Sequence, residues 1–277
     1  MGWKIRHIVL LRRKEVKRVI ALVLALVTIF SLVACSSDES KRNDEDNRNG
    51  KSAGTLTDSG EKASEEEIQT PEIDISTIRI GSYINFGTYE QDNNVENGKE
   101  AVEWLVLDVK DGKALLLSKY ALDCKQYHSK DVDVTWENCT IREWLNDDFF
   151  KEAFSTGERA IIPTVTVPAD NNPYYDTDPG NATQDQVFLL SFVEATNYFS
   201  SDEERMCKPT DYAIENGVDT SKYNGNCRWW LRTPGKNKKL ATGVVNFGDP
   251  NEYGDPVINR SLGAVRPALW IDLSKIK

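Results

Sequence analysis

Histidine is scarce: the 277 residues hold two, and only His128 falls beyond the first 34 positions. A Ser-His-Asp relay would therefore hang on that single imidazole. No Cys-x-x-Cys spacing occurs, so the donor set of a structural zinc site is missing as well. No glycine-rich loop follows a strand and opens a helix, which removes the phosphate-cradling motifs. Carboxylates number 44, too many for any one pair to stand out as an acid–base couple. These absences favour a non-catalytic role and a protein that needs no cofactor.

Long apolar runs are missing too, with one exception. Seven basic side chains and one acid, Glu15, occupy the first 18 residues, and an apolar stretch follows from Val19 to Phe30. It ends in Leu32-Val33-Ala34-Cys35. A basic region, an apolar region and small residues before a cut site are the marks of an export signal. The last four residues match the bacterial lipobox, whose cysteine thiol receives diacylglycerol. Val19 to Ala34 is 16 residues, short of the roughly 20 a spanning helix needs. The expected address is therefore the outer face of a cell membrane, held through lipid on Cys35 after removal of residues 1–34.

Basic charge is also in deficit. The chain carries 34 Lys and Arg against 44 Asp and Glu. The signal holds seven and one of these, leaving 27 against 43 and a net charge of −16. So acidic a surface repels nucleic acid and anionic headgroups. Residues 35–76 are almost devoid of large apolar side chains and rich in Ser, Asp, Glu, Asn and Lys. They cannot bury enough surface to offset ordering and read as a disordered tether. Its ~40 residues would span roughly 35 Å root-mean-square.

Residues 77–277 are long enough for one core. Tyr83–Phe86 reads as a strand stopping at Gly87. The runs 101–109 and 113–118 flank Asp111-Gly112, a strong hairpin signal. Thr140-Ile141-Arg142-Glu143 and Ser191-Phe192-Val193-Glu194 are capping-box patterns for two main helices. A short third helix is predicted from Thr210 to Asn216, closed by Gly217. Short strands follow near Trp229–Arg232, Val244–Phe247 and Val257–Asn259, among Gly, Asn, Asp and Pro. The chain finishes on an apolar strand from Ala264 to Ile271, with Pro267 at an edge or at the strand's entry. The fold class is α+β: an antiparallel sheet, two main helices and long C-terminal loops.

Besides Cys35 the chain has Cys124, Cys139, Cys207 and Cys227. An even number in an exported domain points to disulfides. Sequence proximity favours Cys124–Cys139 and Cys207–Cys227, closing loops of about 15 and 20 residues at roughly 3 kcal/mol each. A catalytic thiol is the other reading.

Six separated strings occur in order: Ala101–Leu107, Asp133–Glu137, Ile141–Asn146, Phe188–Ser191, Trp229–Gly235 and Val265–Trp270. Together they resemble an uncharacterised bacterial family, domain-of-unknown-function family 6273, over residues 78 to 273. The Trp-Trp-Leu-Arg and Val-Arg-Pro-Ala-Leu strings look like the closing strands of the C-type-lectin-like fold, which also underlies formylglycine-generating enzymes. That resemblance implies paired N- and C-terminal strands, two helices, and ligand sites on a loop region. The lectins' calcium-dependent sugar motifs, Glu-Pro-Asn and Trp-Asn-Asp, are absent. The enzymes' reactive cysteine pair does not map onto Cys207 and Cys227.

Alternation in Trp229-Trp230-Leu231-Arg232 puts one tryptophan in the core and leaves the other to stack on Arg232 or on a flat sugar face. Arg266 in the last strand would need a carboxylate partner if buried. Trp229, Trp230, Arg232 and Arg266 are thus the candidate ligand-binding residues. The polar loop from Ala169 to Thr183 could offer oxygens to calcium but lacks the spacing of a calcium loop. The expectation is a tethered module that binds a glycan or protein ligand; a thiol-dependent enzyme and a structural envelope protein are the alternatives.

Overall fold

The computed structural model describes residues 73–261 and 263–276. The signal, Cys35 and nearly all of the 35–76 tether lie outside the described residues. Ile73 and Ile78 pack against the core, so ordered chain reaches back to residue 73.

In chain order the elements are β1 (Tyr83–Tyr89), β2 (Glu100–Lys110), β3 (Lys113–Ser118) and β4 (Asp123–Cys124). Helices α1 (Thr140–Trp144), α2 (Phe150–Ala153) and α3 (Thr156–Ile161) come next, then β5 (Val165–Val167), β6 (Thr183–Asp185) and β7 (Val187–Phe188). After α4 (Phe192–Tyr198), α5 (Asp202–Arg205) and α6 (Asp211–Glu215) follow β8 (Trp229–Pro234), β9 (Leu240–Val244), β10 (Pro250–Pro256), β11 (Ala264–Val265) and β12 (Ala268–Asp272). The class is α+β, with mostly antiparallel sheets and short helices. Where one sheet was expected there are two five-stranded ones, ordered β1-β2-β3-β12-β7 and β10-β9-β8-β11-β4, and a β5-β6 ribbon.

The predicted hairpin joins β2 to β3. Asp111 and Gly112 both take positive φ, 50° and 70°, as the two-residue turn matching strand twist requires. β1 does not stop at Gly87 but runs through it as a bulge between Asn85 and Thr88. A Cβ on Gly87 would stand 2.6 Å from the Phe154 ring and 2.7 Å from the Ala153 carbonyl oxygen. Only glycine lets the strand pass that close. The N- and C-terminal strands share a sheet but are not partners: β2 and β3 separate β1 from β12.

The apolar run from Ala264 to Ile271 is two strands, not one. β11 lies in the second sheet beside β8 and β4, and β12 lies in the first between β3 and β7. Arg266-Pro267 is the crossing between them. Proline has no N–H to donate, and its carbonyl accepts from Ser118 N at 3.0 Å. One continuous segment thereby joins both sheets.

The first predicted helix begins differently from its capping pattern. Cys139, not Thr140, is the N-cap, and no side chain caps the helix there. Between α1 and α2 the chain widens into a π turn, Leu145–Phe149. Asn146 in that turn donates to the Arg142 and Val187 carbonyls and accepts from Gln186 N and Val187 N. It ties the helical segment to β7. α4 has the predicted box, with Ser191 and Glu194 capping each other's backbone, and the third predicted helix spans Asp211–Glu215, with Thr210 as its N-cap instead of its first residue. Among the described residues no helix is long and apolar enough to cross a membrane.

Candidate functional site

A concavity of about 370 Å³ opens beside the β2–β3 hairpin, within the size range of small-ligand pockets. β3 contributes Leu115, β5 and its exit Val165, Val167 and Pro168, and β7 Phe188, giving an apolar floor. Trp270 of β12 and Tyr198 of α4 form aromatic walls. Lys110, Asp111 and Lys113 at the hairpin tip and Glu194 on α4 supply the polar groups. Burial alternates along Ala268–Asp272, leaving Trp270 half-buried between the buried Leu269 and Ile271. Leu269 and Ile271 point to the opposite face of the strand, and the Trp270 ring stays reachable at the cleft.

Local charges set the pocket's character. Lys110 Nζ is 3.0 Å from Asp108 and 5.1 Å from the Trp270 ring centroid. The Asp108 hydrogen bond raises the Lys110 pKa, so the ammonium persists. Burial, reinforced by the Asp108 and Glu194 carboxylates, raises the Tyr198 hydroxyl, which therefore stays a proton donor. Glu194 is pinned from behind. Both of its oxygens accept from the Arg232 guanidinium, the Nη2 bond at 3.0 Å, and Oε2 also accepts from Ser191 N. With Glu194 matched by Arg232 and Lys110 by Asp108, Lys113 and Asp111 leave charges of both signs at the rim of an aromatic-walled cleft. Such a site suits a flat, hydroxyl-bearing ligand.

The residues singled out from sequence lie elsewhere. Trp229 and Trp230 are each 1 % exposed, and every residue of β8 is buried. The indole N–H of Trp229 donates to the Arg205 carbonyl at 3.1 Å and that of Trp230 to the Lys125 carbonyl at 3.0 Å. Neither ring can stack on a ligand in this conformation: both are core, because β8 is a central strand covered on both faces. Arg232, 2 % exposed, meets Glu194 and, at 3.0 Å, Asp170. It supports the pocket from beneath without lining it. Arg266, 4 % exposed, has no carboxylate partner among the described residues. It donates to the Ser118 carbonyl at 2.9 Å and lies 5.0 Å from the Trp229 ring and 5.7 Å from the Phe199 ring. The expected salt bridge at Arg266 is not there.

The described residues hold no disulfide: Cys124, Cys139, Cys207 and Cys227 are free and buried. Cys124 Sγ donates to the Arg260 carbonyl and Cys139 Sγ to that of Trp136, so proximity in sequence did not bring those two together. Burial, with the Asp123 charge, pushes the Cys124 thiol up to about 11; burial pushes Cys139 up to about 12. Neither is a nucleophile near neutral pH. Cys207 and Cys227 do face each other across an isolated antiparallel bridge.

Nor does the 169–183 loop gather its oxygens into a cage. Asp170 binds Arg232, Asn172 donates to the Pro234 and Glu252 carbonyls, and Asp178 binds Lys238 at 2.7 Å. Three carboxylates that sequence reading missed, Glu90, Asp92 and Glu100, converge within 4.8 Å. They accept backbone N–H groups of Gln91, Asp92 and Asn94 and so brace the β1–β2 connection. A second concavity of about 390 Å³ carries Asp202, Asp249 and Glu252 around Arg205. Burial raises the Asp249 carboxyl, and its two acidic neighbours add to the effect.

No curated protein and no solved structure matches the chain significantly. The aromatic-walled cleft draws Phe188 from the Phe188–Ser191 string and Trp270 from the Val265–Trp270 string, with Arg232 of Trp229–Gly235 behind it. All three strings fall inside a matched stretch that starts at the hairpin turn, so Ala101–Leu107 lies outside it. Residues 111–273, more than half of the chain, match the family described as a domain of unknown function, DUF6273, and the chain belongs to that family.

Proposed function

We propose that this chain is a bacterial lipoprotein, anchored through diacylglycerol on Cys35 to the outer face of a cell membrane, whose folded domain binds a glycan without catalysis. A C-type-lectin-like arrangement is part of the reading. It is supported by first and last strands in one sheet and by a second sheet that carries the long connections. The observation that carries the binding role is the reachable Trp270 ring, set in a cleft with Lys110, Lys113, Tyr198 and Glu194. An indole face stacks on the apolar face of a sugar, and the ammonium groups, the phenol and Glu194 meet hydroxyls. A tether of acidic residues lifts the site off a like-charged membrane surface.

The test is a pull-down of the full chain on purified cell wall and on a glycan array, with and without calcium. Saturable binding that falls at least about tenfold in Trp270→Ala, roughly the 1.4 kcal/mol of one stacked ring, supports the reading. It should persist in the parent without calcium. Binding indifferent to Trp270→Ala and Lys113→Gln, or no binding to any glycan, overturns it and points to a protein ligand, to be sought by cross-linking on intact cells.

A further inference from the structure

Buried cations normally have anionic partners, because desolvating an unpaired charge is costly. Arg266 breaks this pattern. Its side chain meets carbonyl oxygens and aromatic faces and, among the described residues, no carboxylate. The groups beside it that can bear negative charge are two thiols. The Arg266 charge acts on both Cys207 and Cys227. Arg266 donates to the Ser118 and Arg205 carbonyls, while Cys207 Sγ donates to the adjoining Lys119 carbonyl at 3.7 Å and to that of Lys208 at 3.4 Å, and Cys227 Sγ to the Cys207 carbonyl at 3.5 Å. The two residues stand opposite one another at an isolated antiparallel bridge, with Cys227 N donating to the Cys207 carbonyl at 2.8 Å. Such opposed residues have Cα atoms about 5.5 Å apart, inside the span of a disulfide.

We propose that Cys207 and Cys227 are a redox modification site: they close to a disulfide by exchange with a low-molecular-weight or protein disulfide, and Arg266 holds Cys207 as the attacking thiolate. Cys207 thiolate attacks one sulfur of the oxidant, forming a mixed disulfide and releasing one thiolate. Cys227 then gives up its proton and attacks the Cys207 sulfur, and the second thiolate of the oxidant leaves. The two protein sulfurs lose two electrons, the oxidant gains them, and its two thiolates account for the two protons.

The asymmetry has a physical source. Burial pushes the Cys207 thiol up, but the hydrogen bond from Cys227, the Arg266 charge and the Ala121 backbone together bring it below its ordinary value. The hydrogen bond to Cys207, burial and the charge of Cys207 all push Cys227 up. The charged and titratable groups acting on the pair are each other and Arg266. Both thiols are buried, so exchange passes through an opening of the bridge, which is a single rung outside the two sheets. Cys124 also feels Arg260 and Lys125, and Cys139 feels Arg142, but there burial outweighs the cations and both hold their protons to high pH.

The full chain, treated with oxidised glutathione at pH 7 and mapped by non-reducing peptide mass spectrometry, should show one link, Cys207–Cys227, with Cys124 and Cys139 still thiols. The thermal midpoint should rise by about 6–12 °C, the effect of closing a loop of roughly 20 residues in a domain of this size. Arg266→Gln should slow the link at least about fivefold at pH 7, less at pH 9, and Arg266→Lys should restore part of the rate. Should Arg266→Gln not fold, the single-thiol variants decide the roles: Cys227→Ser should trap glutathione on Cys207 faster than Cys207→Ser traps it on Cys227. Absence of the link, equal participation of Cys124 or Cys139, or the reverse order of trapping would overturn the proposal.

Discussion

Two buried arginines, 34 positions apart in the chain, solve the same electrostatic problem in opposite ways. Arg232 on β8 is enclosed by Glu194 and Asp170 and has its remaining N–H groups on the Pro168 and Leu189 carbonyls. Arg266, at the crossing between sheets, has carbonyls, two aromatic faces and a dithiol. The first arrangement is a rivet: it fixes α4 against β8 and thereby places Glu194 and Tyr198 at the cleft. The second is poised, because its anionic partner exists only when a thiol has given up its proton. Rigidity therefore belongs to the region beneath the ligand cleft and chemical responsiveness to the region away from it.

The sharpest way to break the comparison is Arg232→Met. It leaves two partly buried carboxylates without their cation and should cost about 3 kcal/mol, the low end for a broken buried pair because both acids keep some solvent. Urea denaturation would read it, and a loss under 1 kcal/mol would mean the pair is not a rivet. The alkaline response comes next. Cys124 and Cys139 are raised to about 11 and about 12 from an ordinary 9.0. Their stabilising contribution is complete below pH 9, where folded and unfolded chains both hold the proton. It is lost as pH climbs from 9 through 12, since the unfolded chain ionises first. Thermal midpoints at pH 8 and 10.5 should fall accordingly, and Cys139→Val should flatten the fall.

Arg266→Met should cost only about 1 kcal/mol under reducing conditions, since an apolar chain of similar length replaces a cation with no carboxylate to strand. Equal losses at Arg232 and Arg266 would erase the contrast. The smallest expected change is Lys113→Gln, within about 0.5 kcal/mol of the parent in stability yet weaker in ligand binding.

Local chemistry was legible in the sequence where it acts over a few residues. Asp111-Gly112 announced the hairpin, and Ser191 with Glu194 announced α4, because turn dihedrals and caps are settled within four positions. Long-range burial was not. Alternation along Trp229-Trp230-Leu231-Arg232 assumes one covered face, whereas β8 is covered on both, and a two-faced strand has no outward side to read. Thr140 and Glu143 fitted a capping box, but the helix took Cys139 as its N-cap. The cleft escaped for a related reason: Lys113, Phe188, Tyr198 and Trp270 converge only after β12 has paired with β3 and β7. Trp270 carried a faint signal, as the one large aromatic following the Arg266-Pro267 break.

The passage of Ala264–Asp272 from one sheet into the other has a consequence for the order of events during synthesis. β12 occupies an interior place in the first sheet, yet its partner β3 was made about 150 residues earlier. Until Ala264–Asp272 is available, β3 and β7 have an unfilled slot between them, so neither sheet can finish before that segment is made. A premature stop anywhere ahead of Asp272 should yield an open-edged, aggregation-prone product instead of a shortened native one.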